Sequence, residues 1–136
     1  MITRRALVLG ALAAPVLWTL PAQAGSYLNR AALLASQARR ESEYLRSRVH
    51  DKELAALVLA IARARLEAAS RMQVPKEVVQ AHPHLLLLLQ NYERSADAAV
   101  EGQTERFLVY QQRARDEENI LRGVLKQLGW SLPEPK

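Results

Sequence analysis

The chain contains no cysteine. That absence excludes a disulfide framework, a thiolate metal site, a cysteine nucleophile, c-type haem attachment and a lipidated lipoprotein cysteine. Glycine is scarce too, with five residues in 136, in a chain rich in Ala, Leu, Arg, Glu and Gln. Such a composition argues against a β-sandwich and for helices. The signatures of common enzymes are missing as well. There is no Gly-rich phosphate loop, no Gly-x-Ser-x-Gly and no His-Glu-x-x-His. No repeat and no low-complexity segment occurs. What is present fits one domain, and a hydrophobic content of 49% excludes wholesale disorder.

The first segment reads as an address. Arg4 and Arg5 precede a charge-free run from Ala6 to Leu20, which Pro21 and the small-residue pattern Ala22-Gln23-Ala24 follow. A basic start, an apolar core and an Ala-x-Ala site in that order predict a secretory signal peptide over residues 1–24, cleaved after Ala24. The run is shorter than the roughly 20 residues of a membrane span, and Pro15 and Pro21 interrupt it. Thr3-Arg4-Arg5-Ala6-Leu7 loosely resembles a twin-arginine export signal. Leu7 stands where an aromatic is usual, however, and an ordinary export leader is the preferred reading.

Cleavage leaves 112 residues with 17 Lys and Arg against 14 Asp and Glu, a surplus of +3. Basic and acidic residues are interleaved, as in Arg113-Ala114-Arg115-Asp116-Glu117-Glu118. A phosphate-binding stripe would carry one sign on one face, so nucleic acid is not an expected partner. No second apolar stretch is long enough to span a bilayer, and a soluble periplasmic or extracellular protein is expected.

Apolar periodicity predicts four helices in residues 25–130. The first covers Leu28 to Val49, capped by Ser26 or Asn29, with Tyr27, Ala31, Leu34, Ala38, Leu45 and Val49 in line. The second covers Lys52 to Met72, capped by Asp51, with Leu54, Leu57, Val58, Ile61, Ala64, Ala68 and Met72 on the inner side. Val74-Pro75 stops it. A connector with room for one helical turn leads to Pro83, placed at the start of a third helix, His84 to Glu101. Leu85, Leu88, Leu89, Tyr92, Ala96 and Ala99 form its stripe, and Gly102 ends it. Thr104 is expected to cap a fourth helix, Glu105 to Leu128, lined by Phe107, Tyr110, Ala114, Leu121, Val124, Leu125 and Leu128. Gly129 closes it, with Trp130 folded back. Residues 131–136, with Pro133 and Pro135, form a flexible tail. Short links make two antiparallel hairpins whose stripes must cover each other, which predicts an all-α, up-down-up-down four-helix bundle. Residues 25–72 hold nine basic and five acidic residues, and residues 73–136 hold eight and nine.

Three features are candidates for chemistry or binding. Glu41, Glu117 (or Glu118) and Arg65 fall on the apolar lines near helix middles. A carboxylate there needs a partner, which makes either a Glu–Arg layer with Arg65 or Arg113, or a metal-holding carboxylate site of the bundle-core kind. Ferritin-type iron sites need Glu-x-x-His, and no glutamate here has it. Next, His82 and His84 flank Pro83, with Glu77 nearby, a pair able to hold Zn²⁺ or Cu²⁺ weakly. His50 is expected at the opposite end of the bundle. Last, Leu85 to Leu89 circle a helix, so Leu86 and Leu87 must point away from the core, under the connector or towards a partner.

The layout around Gly102 is similar to the small cytochromes built as four-helix bundles, which hold haem by a late histidine in helix four and often by an early methionine in helix one. Helix four here has no histidine, and the one methionine of the mature chain is Met72. The resemblance stops at layout, and no cofactor is expected. The sequence therefore predicts an exported, non-catalytic bundle that acts through protein contacts or self-association around Leu86 and Leu87. A metal-binding bundle using carboxylates or the His82/His84 pair is the alternative.

Overall fold

The computed structural model describes the backbone of residues 2–134 and the side chains of residues 23–134. It is all-helical: α1 (Ile2–Arg46), α2 (Lys52–Ser70), α3 (His82–Val100) and α4 (Thr104–Gln127), with a 3-10 turn at Lys76–Val78 and no strand among the described residues. The leader expected over residues 1–24 lies, except for Gln23 and Ala24, outside the residues with described side chains.

Helix boundaries follow local chemistry. The Asp51 carboxylate accepts a 3.0 Å bond from the Leu54 amide and caps α2 as expected. Helices α3 and α4 both end in complete Schellman motifs. Gly102 (φ 74°) lets the Gln103 amide reach the Ala98 carbonyl at 2.9 Å, and Gly129 (φ 87°) lets the Trp130 amide reach Leu125 at 2.8 Å. Helices α1 and α2 end early, at Arg46 and Ser70 rather than Val49 and Met72, and three expected starts move. Helix α1 runs through Ser26 and Asn29, where upstream carbonyls already occupy the amides these residues were to cap. Gln103 takes the position before α4, so Thr104 is the first helical residue and makes no side-chain cap. Helix α3 starts two residues early, at His82, which places Pro83 within its first turn.

The helices gather into a bundle around α3, which packs most extensively on α4 and α2 and also meets α1. Helix α1 presents Ala31, Ala32, Ala35 and Ala38, all buried, and these small side chains allow close approach. Its contact with α2 is slighter. The expected α3 stripe is buried in full. On α4, Phe107, Ala114, Leu121 and Leu125 are buried as expected, joined by Gln111 and Glu118. On α2 the buried face is Ala55, Val58, Leu59, Ala62, Arg65 and Ala69. The expected inner face is therefore corrected: Leu57, Ile61, Ala64 and Ala68 are exposed. The helix carries apolar residues on so much of its circumference that periodicity alone does not choose the buried side.

Two apolar cores result. One joins Tyr27, Leu28, Val78, Leu85, Leu88, Leu89, Leu121 and Leu125; the other joins Leu45, Val58, Leu59, Ala96, Ala99 and Phe107. Residues 131–134 are irregular, but Leu132 is buried in the first core, so the tail expected to be free is anchored at that point.

Candidate functional site

A polar belt separates the two cores. On α1, Arg39, Glu41 and Ser42 lie between the residues of the first core and Leu45 of the second; on α4, Gln111 lies between Phe107 and Ala114. The Gln111 amide donates to Ser42 Oγ at 2.8 Å, with both residues buried. Arg65 is buried on α2 and reaches across to Glu41 Oε2 at 2.5 Å. Arg39 straddles Glu118, donating to Oε1 at 3.1 Å and Oε2 at 2.9 Å, and Arg122 approaches the same carboxylate at 3.4 Å. The belt is thus a set of paired charges across α1, α2 and α4, as buried charge requires.

The sequence located most of these groups but not all of their partners. Glu41 meets Arg65, one of the two arginines expected beside it. Glu118 rather than Glu117 takes the inward position on α4. Arg113 joins no belt carboxylate among the described residues; its guanidinium lies 5.2 Å from the Tyr110 ring centre. Arg39 and the Ser42–Gln111 bond were missed. Sequence could have flagged Ser42 and Gln111 only as polar residues on an inner face, because pairing over 69 residues leaves no local signal. Two buried polar atoms stay without a hydrogen-bond partner among the described residues, Glu41 Oε1 in the belt and the Tyr92 hydroxyl of the first core. Burial pushes the Tyr92 phenol up to about 12, and the nearby Glu118 charge adds to the effect.

The two histidines part company. His82 Nδ1 lies 2.8 Å from the Tyr27 hydroxyl on α1, and the rings meet edge to face at 5.7 Å. Desolvation lowers the His82 pKa, opposed by the Ala69 backbone carbonyl. The neutral ring therefore accepts at Nδ1 from Tyr27, whose own pKa burial raises to about 12. His84 Nδ1 instead meets Glu117 Oε1 on α4 at 2.6 Å. Their Nδ1 atoms are turned to different helices, and no group of three or more His, Cys, Asp or Glu comes together among the described residues. His50 is exposed in the turn between α1 and α2.

Two open apolar grooves flank α2, and further exposed apolar residues lie at Val79 of the connector and at Leu108, Val109 and Ile120 on α4. Towards α3 an open groove is lined by Leu66, Ser70, Pro83, Leu86, Leu87 and Gln90. Leu86 packs partly on the first core, as Val74 of the connector does, whereas Leu87 is 43% exposed. Towards α1 a second groove is lined by Tyr44, Leu54, Leu57, Val58 and Ile61, with Arg40 and Glu41 at its edge. Leu57 is 58% exposed and Tyr44 52%. No described helix is long and apolar enough to cross a membrane. Comparison with protein-family models, curated proteins and solved structures yields no match.

Proposed function

We propose that residues 25–130 form an up-down-up-down four-helix bundle, exported once the leader over residues 1–24 is cleaved after Ala24, to the periplasm or beyond. The protein works by contacts with another protein, as an adaptor or accessory, and not by catalysis. The alternating helix directions are supported by cross-helix pairs. Along α1 the step from Arg39 to Ser42 runs forward, while their partners on α4 step back from Glu118 to Gln111. Arg65–Glu41 and Arg63–Glu93 tie α2 to α1 and to α3.

One observation carries the contact reading: α2 has apolar residues on more sides than α1 and α3 cover, leaving an open apolar groove on each flank. Large contiguous exposed apolar patches mark interaction sites or binding grooves. The belt's charges, by contrast, are paired with each other and serve the register of the bundle. The test is light scattering of the cleaved protein together with capture of partners from its own compartment, using wild type, Leu87→Glu and Leu57→Glu. We expect loss of the captured species in at least one variant, with unchanged circular dichroism. A strict monomer from which both variants recover the same species as wild type overturns the reading.

A further inference from the structure

We infer that the groove between α1 and α2 receives an acidic amphipathic helix of another protein. The inference rests on the proposal that the bundle acts by protein contacts, and it names the partner for one groove. Its lining is mainly apolar, with Val58 buried and Tyr44, Leu57 and Ile61 exposed. Helical spacing carries the α2 wall onward to Ala64 and Ala68, while on α1 the polar Arg40 and Gln37 separate Tyr44 from the next apolar residue of that face, Leu33 (49% exposed). Leu33 to Tyr44 and Leu57 to Ala68 each span 11 residues, or about 17 Å of helix, which matches three turns of an inserted helix. The alanines at one end let a guest backbone come close, and Tyr44 and Leu57 at the other supply the larger contacts.

Charge decides which guest fits. Residues 25–72 hold nine basic residues against five acidic ones. Arg40 lines the groove, is exposed and forms no ion pair among the described residues; Lys52 lies instead by Gly102 at the α3–α4 turn, and Glu53 is the exposed acid one turn before Leu57. Arg48 lies 4.2 Å over the Tyr44 ring and so sits at the groove itself. The groove carboxylate Glu41 is already bonded to Arg65. A second copy of this chain meeting the groove with its own same face would bring like charge against like, which disfavours that pairing. A helix with Leu or Ile at i, i+3, i+4 and i+7 and glutamates on its flanks satisfies both floor and rim.

Two labelled synthetic peptides of about four helical turns, with the same apolar face and either Glu or Lys flanks, provide the probe. They are titrated by fluorescence anisotropy into the cleaved protein and into Leu57→Ser, Arg40→Glu and Leu87→Glu variants of unchanged circular dichroism. The Glu peptide is expected to bind at least about tenfold more tightly than the Lys peptide and to weaken as salt rises. Leu57→Ser and Arg40→Glu should each weaken it several-fold, and Leu87→Glu should leave it unchanged. Equal binding of the two peptides, or none, overturns the inference. So does a dimer that Leu57→Ser dissolves in sedimentation, or adsorption to anionic vesicles that Leu57→Ser abolishes while the peptide stays unbound. Failure of the peptides alongside partner loss in Leu87→Glu leaves the broader proposal standing and removes only this one.

Discussion

Buried charge at single positions sets the sharpest expectations. Arg65 is buried on α2 and has Glu41 as its carboxylate. Glu41→Ala should therefore cost about 3 kcal/mol in urea unfolding, since it strands a buried cation, whereas Glu41→Leu with Arg65→Met should lie much closer to wild type. The Tyr92 hydroxyl is buried without a partner among the described residues, so Tyr92→Phe is expected to leave stability unchanged or slightly raised. A loss of more than about 1 kcal/mol in that variant would reveal a bond to the hydroxyl. His82 sets a pH dependence. Desolvation holds its pKa below the ordinary 6.5, so above 6.5 neither folded nor unfolded chain carries the proton. Below 6.5 the unfolded chain takes up a proton that the folded chain resists. Stability should then fall as pH drops through that range, and His82→Gln should flatten this part of the slope in urea midpoints measured from pH 7.5 to 5.

At the scale of helices and turns, Gly102 adopts φ 74° to close α3 and open α4. Gly102→Ala should cost about 1 kcal/mol or more by thermal unfolding, because an L side chain is strained there. Much at this scale was legible in the sequence. The α3 stripe, the Asp51 cap, the two glycine stops and the turn inside the connector all rest on local chemistry that a single segment carries. The buried side of α2 was not legible. Leu54, Leu57, Ile61 and Ala64 make as good an apolar line as Ala55, Val58, Leu59 and Ala62, and only the placement of α3 selects the second. The belt was half legible for the same reason: a glutamate on an inner face announces a need for a partner, but the fold alone decides that Glu118 meets Arg39 and Glu117 meets His84. Leu87 faces outward as its place in the leucine run required, while Leu86 leans partly onto the first core.

For the molecule as a whole, two tyrosines tie stability to alkaline pH. Burial raises both Tyr27 and Tyr92 to about 12, against an ordinary value near 10. Between those values the unfolded chain releases phenolic protons that the folded chain retains, so stability should fall as pH rises from 10 to 12. In a titration followed by phenolate absorbance, Tyr110, whose ionised form Arg106 favours, should ionise early, and Tyr27 and Tyr92 should appear only together with loss of helical circular dichroism. The arrangement also has a bearing on how the molecule comes into being. Helix α3 touches every other helix, whereas α1 and α2 meet each other only lightly. The first half of the polypeptide thus completes its burial only once residues 82–100 have been synthesised, because Leu45, Val58 and Leu59 close their core against Ala96 and Ala99.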